Sequence, residues 1–176
     1  MSSRSINSVL ARAATVAALA VAVRHTPLRA DDDVHALKLG SPIPLATVKM
    51  QSVDGREVAL ADIQGKKGTV IVFTCNVCPF AKAWEERIVA LGNEWSKKGV
   101  GVIAINSNDP HHSRGDNLEA MQARARERAM AYPYVVDATS DVARAFGATH
   151  TPEVFVFDTR GRLVYHGAVD DSMEPG

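Results

Sequence analysis

The sequence predicts an α/β fold in which a central mixed sheet is flanked by helices. Two continuous apolar segments rich in β-branched residues, 69–74 and 100–105, have the composition of strands that are buried on both faces. A helical pattern follows each of these segments, and further strand patterns complete the chain. Alternating strands and helices of this kind indicate a largely parallel sheet covered by helices.

Length and composition limit the classes of protein that the chain can represent. It has 176 residues, of which 46% are hydrophobic, so we expect one globular domain. The formal net charge is zero at pH 7, which excludes the strongly basic balance of a nucleic-acid-binding protein. Only two cysteines are present, Cys75 and Cys78, too few for the disulfide framework of a small secreted domain. A close pair of this kind indicates a redox site or a metal site.

The N-terminus has the features of a secretory signal peptide. Two arginines precede and flank an apolar segment of 11 residues, Ala13 to Val23. That length suits a signal sequence and is too short to span a bilayer. We expect cleavage after Ala30, so that residues 1–30 are removed and the mature protein is exported to the periplasm or another extracytoplasmic compartment without a membrane span. An uncleaved signal anchor or a disordered leader is the alternative.

The first half of the mature chain begins with strands and continues with a long helix. Residues 31–42 are predicted as a linker and residues 43–176 as the domain. Asp54-Gly55 lies between two strand patterns, so the domain is expected to start with a β-hairpin. After the cysteines, apolar side chains recur at spacings of three and four and predict a helix with one buried face. These side chains are Ala81, Trp84, Ile88, Leu91 and Trp95.

The second half of the chain continues the alternation and closes with a hairpin. The predicted elements are a helix over 116–130, a strand over 134–137, a helix over 141–147, and strands over 154–157 and 163–165. Arg124 and Arg128 are interpreted as part of a solvated helix face, and Asn106 to His112 as a solvated loop. The residues after Gly167 are polar and end in Pro175-Gly176, so no C-terminal helix is expected.

Cys75 and Cys78 form a Cys-x-x-Cys motif at the predicted junction between a strand and a helix. We expect the first cysteine at the helix N-cap and the second in the first turn, where free backbone N–H groups and the helix dipole favour a thiolate. A thiol whose pKa is lowered in this way is a nucleophile at neutral pH. The spacing also allows a disulfide to close without unfolding either element.

Two other interpretations of the motif stay open. The first is a purely structural disulfide, which would constrain the unfolded chain little because the closed loop is short. The second is a metal site, although tetrahedral zinc needs four ligands and only one cysteine pair exists. His150 is the candidate third ligand of a copper-type site, since thiolates suit Cu(I). The protein would then be a copper-binding carrier that uses Cys75, Cys78 and His150.

Several motifs together resemble the thioredoxin superfamily. They are the Cys-x-x-Cys, Thr151-Pro152 before a strand, and the Asp-x-x-Gly-Arg-Leu hairpin at 158–163. The chain is most similar to the redoxin group of the alkyl hydroperoxide reductase/thiol-specific antioxidant (AhpC/TSA) type, which includes exported ResA- and TlpA-like thiol–disulfide oxidoreductases. One bacterial subfamily shares Cys-Asn-x-Cys-Pro and Ile-Asn-Ser-Asn-Asp, which stand here at 75–79 and 105–109. The resemblance covers residues 38–171.

This resemblance implies a thioredoxin-like fold and an exported thiol–disulfide oxidoreductase. Its partners would be protein thiols and disulfides and an upstream electron donor, and neither a cofactor nor a metal is expected. Cys75 would attack a substrate disulfide and Cys78 would resolve the mixed disulfide. Pro152 would be a cis-proline against the dithiol, and Thr151 would pair with the backbone of a bound substrate. His150 is a candidate for proton transfer because the ordinary pKa of histidine is near neutral.

Four departures from the family pattern matter. Asn76-Val77 replaces the Gly-Pro of ordinary thioredoxin. Thioredoxins resemble one another in having a buried aspartate, a proton acceptor, six positions before the first cysteine, and Thr69 stands at that position here. Glu85 or Glu86 would have to supply the proton acceptor instead. The peroxiredoxin pattern Pro-x-x-x-Thr-x-x-Cys is not met, so a peroxide-reducing role loses its usual geometry. A thiol-dependent peroxidase of the same superfamily is kept as the alternative function. No pattern for the last helix of the fold follows Gly167, so either the chain is truncated or a face of the sheet is covered in another way, and we predict an exposed apolar patch near the last strands.

Overall fold

The computed structural model of the protein describes residues 35–171, so the predicted signal peptide lies outside the described part. Within it, seven strands form one sheet in the order β2-β1-β5-β4-β3-β6-β7. The strands are Lys49–Ser52 (β1), Glu57–Ala59 (β2), Thr69–Phe73 (β3), Gly101–Asn106 (β4), Tyr134–Val136 (β5), Glu153–Phe157 (β6) and Leu163–Gly167 (β7). The predicted mixed sheet is confirmed, because β3, β4 and β5 are parallel whereas β6 and β7 are antiparallel to their neighbours.

Helices flank this sheet, as predicted. The α-helices are Pro79–Lys97 (α1), Leu118–Glu127 (α2) and Asp141–Phe146 (α3), and two 3₁₀ turns span Leu60–Ile63 and Arg114–Asp116. Helix α2 is shorter than predicted because Asn117 caps its start by accepting the backbone N–H of Ala120, and Ala129 beyond its end has a left-handed φ of 52°. None of the helices in residues 35–171 has the length and apolar composition needed to cross a membrane.

Strand β3 lies inside the sheet between β4 and β6, and the dithiol loop follows its carboxyl end. All five of its side chains are buried, as the β-branched composition predicts. On one face, Phe73 at the end of β3 packs edge-to-face against Phe146 of α3 and Phe155 of β6, with ring centroids 5.2 Å and 5.6 Å away. This cluster fixes the end of α3 beside β3 and β6, and therefore fixes the loop between α3 and β6.

The segment 37–42, inside the predicted linker, is hydrogen-bonded to the domain. The backbone N–H of Leu37 donates to the carbonyl oxygen of Phe146 (3.1 Å), and that of Gly40 donates to the carbonyl oxygen of Leu163 (2.8 Å). Leu163 in turn donates its N–H to the carbonyl oxygen of Ser41 (2.9 Å). These bonds connect residues 37–41 to the end of α3 and to the start of β7.

An apolar groove lies on the opposite face of the sheet, against α1. It encloses about 230 Å³ between the side chains of Val70, Val156, Leu91 and Tyr165, among others. Leu91, predicted on the buried face of the helix, is 38% exposed because it borders this groove instead of a covering element. No helix follows β7 in residues 168–171. The predicted apolar patch near the last strands is therefore confirmed for the described part of the chain.

Candidate active site

The loop 74–78 connects β3 to α1 and holds both cysteines. Helix α1 begins at Pro79, so Cys78 is its N-cap with an extended backbone (φ −62°, ψ 126°). The expectation that Cys75 would occupy the N-cap is wrong. The residue before a proline is disfavoured in the helical conformation, which keeps Cys78 out of the first turn. Proline itself suits the first helical position, where its missing N–H leaves no hydrogen bond unmade.

The two thiols are free and differ in their surroundings. Cys75 is 6% exposed, whereas Cys78 is only partly buried. Burial alone would raise the pKa of Cys78. Hydrogen bonds from the backbone N–H of Ala81 and from the side chain of Thr151, helped by the Phe80 N–H and the Cys75 side chain, outweigh burial and lower the pKa of Cys78 below its ordinary 9.0.

Thr151 contacts both sulfurs. Its hydroxyl oxygen lies 3.3 Å from Sγ of Cys75, and its carbonyl oxygen accepts a hydrogen bond from the thiol of Cys78 at 3.5 Å. The bond between Thr151 and Pro152 is cis, as the resemblance implies. The structure therefore brings together two pairs of predicted site residues, Cys75 with Cys78 and Thr151 with Pro152, that are more than 70 positions apart along the chain.

Glu153 supports the loop that carries Thr151 by accepting hydrogen bonds from its backbone. The carboxylate of Glu153 is 2% exposed, and its Oε2 accepts the backbone N–H groups of Thr149 (2.8 Å) and His150 (3.3 Å). Its Oε1 forms a short contact with Nε2 of His166, whose ring stacks on Phe155. Sequence reasoning missed Glu153. The signal available to find it was an acidic residue directly after Thr-Pro, at the start of an otherwise apolar strand.

The two proposed proton carriers do not contact the sulfurs within the described part of the chain. The imidazole of His150 is 59% exposed, and its Nδ1 lies 3.1 Å from Oγ1 of Thr149 and 3.5 Å from Oε2 of Glu153. Glu85 borders a small internal cavity behind Cys75, about 10 Å³ in volume. Its carboxylate is paired with Arg124 at 2.6 Å and with Arg128 at 2.8 Å.

The two arginines correct the prediction of a purely solvated helix face. Arg124 is only 18% exposed because its guanidinium reaches across to Glu85 of α1. Burial opposes protonation, but the hydrogen bond and charge of Glu85 raise the pKa of Arg124 above its ordinary value. These ion pairs therefore join α2 and the residue that follows it to α1, next to the small cavity that Cys75 also borders.

A second set of polar residues behind the dithiol loop was also missed by sequence reasoning. Asp116 is 2% exposed and Asn106, the last residue of β4, is 1% exposed. Of the predicted solvated loop, Asp109, His111 and His112 are exposed, whereas Asn106 is buried. Asp116 accepts hydrogen bonds from the backbone N–H of Asn76 (2.7 Å) and from the side-chain amide of Asn106 (3.1 Å). The Ile-Asn-Ser-Asn-Asp motif pointed to this loop, whereas nothing in the sequence singled out Asp116.

Residues 35–171 contain no group of three or more His, Cys, Asp or Glu side chains placed to hold a metal ion. His150, the third ligand of the copper-type alternative, is turned toward Thr149 and Glu153 instead of the sulfurs. The described residues therefore do not form the three-ligand copper site that the sequence left open.

Two cavities lie on either side of the loop that contains His150 and Thr151. One, of about 340 Å³, is bordered by Phe80, Trp84 and Pro152 and is mostly apolar. The other, of about 310 Å³, is bordered by apolar side chains such as Phe73 and Ile105 and by polar ones such as Asn108 and Arg144. Both reach Thr151, so a molecule bound in either would lie next to the residue that contacts both thiols.

Comparison with known proteins places this site in a family. The model of the AhpC/TSA family matches residues 39–166. Thiol-disulfide oxidoreductase ResA from Halalkalibacterium halodurans is 24% identical over 126 residues, which cover 70% of this chain and 67% of that protein.

Solved structures agree with the fold. An uncharacterized conserved protein from Geobacillus kaustophilus has 40% sequence identity and a TM-score of 0.74, over 77% of this chain and 71% of that one. The thioredoxin domain of a thiol-disulfide oxidoreductase from Bacteroides vulgatus has 19% identity and a TM-score of 0.61, over 74% of this chain and 89% of that domain, and supports the fold alone. With a thioredoxin-like fold and a family match over most of its described residues, the chain belongs to the AhpC/TSA family.

Proposed function

We propose that the protein is a thiol–disulfide oxidoreductase whose reacting pair is Cys75 and Cys78. The observation that carries the proposal is the contact of both sulfurs with Thr151, at 3.3 Å and 3.5 Å, directly before a cis-proline. Similarity to ResA and membership in the AhpC/TSA family support the same class of reaction. No group other than the two thiols is needed to carry the electrons.

The exchange proceeds in two displacement steps. The thiolate of Cys75 attacks one sulfur of a substrate disulfide, forms a mixed disulfide and releases the other substrate sulfur as a thiolate, which takes up a proton. The thiolate of Cys78 then attacks Sγ of Cys75, closes the Cys75–Cys78 disulfide and releases the second substrate thiol. Two electrons pass from the dithiol to the substrate, and an upstream dithiol donor restores the reduced pair. Run in reverse, the same steps oxidise a substrate dithiol.

The roles of the two cysteines in this scheme follow the resemblance, and the geometry favours a second assignment. Cys78 is the more exposed sulfur and stands at the N-cap of α1, where the N–H groups of the first turn lower its pKa. In the second assignment Cys78 attacks and Cys75 resolves. Single-cysteine variants separate the two orders, because only the attacking cysteine forms a mixed disulfide rapidly when its partner is replaced.

A protein segment is the substrate that the surface around the dithiol fits best. The cavity beside Pro152 is mostly apolar, and Phe80, which borders it, is 57% exposed. An extended chain lying there would place an apolar side chain in the cavity and its backbone against Thr151. His150 borders the same cavity and is available to take up or supply a proton at the substrate sulfur.

The protein acts outside the cytoplasm in this proposal, in the periplasm or an equivalent compartment, after removal of residues 1–30. The predicted signal peptide supports this location. Expression of the full chain followed by cell fractionation and intact-mass measurement tests it. A periplasmic product that begins at Asp31 is expected, and an unprocessed cytoplasmic product would contradict it.

The activity is tested by reduction of insulin disulfides with dithiothreitol as the electron donor. We expect the wild-type protein to accelerate reduction, and Cys75→Ser and Cys78→Ser to lose at least nine-tenths of that acceleration, because each step needs one of the two thiols. Val164→Ser, a change at an exposed position of β7, is the control and should keep the wild-type rate. Unchanged activity in either cysteine variant would contradict the proposal.

A further inference from the structure

We infer that Asp116 is a positioning residue that holds the Cys75–Cys78 loop and thereby sets the equilibrium between its dithiol and disulfide forms. The inference rests on the proposed redox function of the two cysteines. It assigns a role to the loop after β4, whose asparagines the proposed exchange reaction does not use.

The carboxylate of Asp116 is buried and fully engaged. Its Oδ1 accepts the backbone N–H of Asn76, the residue next to Cys75, at 2.7 Å and the side-chain amide of Asn106 at 3.1 Å. Its Oδ2 accepts the side-chain amide of Asn108 at 2.9 Å and the hydroxyl of Ser113. All four donors are neutral groups. A carboxylate at this depth is retained only where such a set of donors replaces water.

The residues between the cysteines rest on the turn that contains Asp116. The side-chain amide of Asn76 donates to the carbonyl oxygen of Gly115 at 2.8 Å, and its Oδ1 accepts the hydroxyl of Tyr134 at 3.1 Å. Gly115 touches Val77 so closely that a Cβ at position 115 would lie 2.4 Å from Cγ1 of Val77. The loop is therefore held by its backbone, by one side chain and by packing, all from segments about 40 residues or more away.

Loss of this support should favour the dithiol form for two reasons with the same sign. A disulfide forms only within a narrow range of distances and dihedral angles. A loosened loop holds the two sulfurs less well within that range, so the disulfide form becomes less stable. Asp116 also places a negative charge near the Cys75 side of the loop. Its Oδ1 lies 2.7 Å from the backbone nitrogen of Asn76, the residue that follows Cys75. Removing the charge of Asp116 therefore removes repulsion from a Cys75 thiolate.

The test is the equilibrium of the full-length protein with redox buffers of reduced and oxidised dithiothreitol. We expect Asp116→Asn to shift the equilibrium constant about tenfold toward the dithiol, which corresponds to about 30 mV for this two-electron couple. Asp109→Asn is the matched control. Asp109 is an exposed carboxylate of the same loop that contacts His111 and His112 and not the dithiol loop, so its loss should leave the equilibrium unchanged. An Asp116→Asn equilibrium equal to that of wild type, or an equal shift in Asp109→Asn, would overturn the inference.

If Asp116→Asn does not fold, a second variant, Gly115→Ala, tests the same inference. Gly115→Ala retains the carboxylate but forces Val77 away from the turn, so we expect a shift toward the dithiol of at least about threefold, given the 2.4 Å overlap. An unchanged equilibrium in that variant counts against the inference.

Melting of the oxidised and reduced forms separates positioning from a structural role. A purely structural Asp116 lowers both melting temperatures equally, whereas a positioning role lowers that of the oxidised form more. A wild-type protein that does not cycle between dithiol and disulfide at all would contradict the proposed function. A wild type that cycles beside an unaffected Asp116→Asn would contradict only the inference.

Discussion

Two loops meet at the dithiol, and each stands on one buried carboxylate. The loop 74–78 rests on Asp116 and the loop 147–152 rests on Glu153, and both residues are almost completely buried. Both carboxylates accept backbone N–H groups from the loop they support. The difference lies in distance along the chain, since Glu153 binds N–H groups three and four positions away whereas Asp116 binds one that is 40 positions away.

This difference separates two kinds of support. Glu153 closes a local turn, so its contribution is to the stability of the cis-proline loop and of the strand that follows. Asp116 lies in the loop that follows β4 and accepts the backbone N–H of Asn76 in the loop 74–78. Its contribution to stability therefore depends on the tertiary fold, and we expect it to differ between the dithiol and disulfide forms. We therefore expect substitutions of Glu153 to act mainly on unfolding, and those of Asp116 mainly on the redox equilibrium.

The largest expected effect comes from Glu153→Ala. Two backbone N–H groups and the imidazole of His166 lose their acceptor. A buried unsatisfied group costs about 1–3 kcal/mol, and these three are only partly buried, so the low end applies to each and we expect a loss of about 3 kcal/mol in the free energy of unfolding. Urea denaturation measures it. Glu153→Gln keeps an oxygen acceptor and should lose about half as much. A loss below about 1 kcal/mol in Glu153→Ala would remove the contrast between the two carboxylates.

A smaller effect is expected from Thr151→Val, which tests whether the second loop also takes part in the reaction. The change removes the hydroxyl beside Cys75 and keeps the carbonyl oxygen that accepts the Cys78 thiol. One hydrogen bond of about 1 kcal/mol corresponds to a roughly fivefold slower reduction of insulin. Thr149→Val, which removes a hydroxyl of the same loop that contacts His150 and no sulfur, is the control. Equal rates in the two variants would contradict a role for the Thr151 hydroxyl.

The smallest expected effect is a pH dependence of stability from Cys78. Because the pKa of this thiol is lower in the folded protein than its ordinary 9.0, its thiolate stabilises the folded state above pH 9.0, and that contribution is lost as pH falls through the folded pKa. The reduced wild-type protein should therefore gain stability relative to Cys78→Ser as pH rises from neutral toward 9.0. Unfolding free energies measured across this range test the prediction, and parallel curves for the two proteins would contradict it.

Local patterns were enough to predict much of the fold and part of the site. The apolar segment at 69–74 and the Asp54-Gly55 turn predicted strands that the structure contains, because hydrophobic periodicity and turn chemistry act over a few residues. The motif at 75–78 and the Thr151-Pro152 pair predicted the residues that the structure brings together. That Cys78 and not Cys75 is the N-cap of α1 also has a local cause, the proline that follows Cys78.

The sequence by itself determined the α/β order of elements and the position of the dithiol after a buried strand. Only the tertiary structure decided that Glu85 pairs with arginines of α2, that Leu91 borders a groove, and that Asp116 supports the loop between the cysteines. The physical reason is that periodicity reports which side of one element is buried. A hydrogen bond between segments 40 residues apart depends instead on which strands the sheet places side by side.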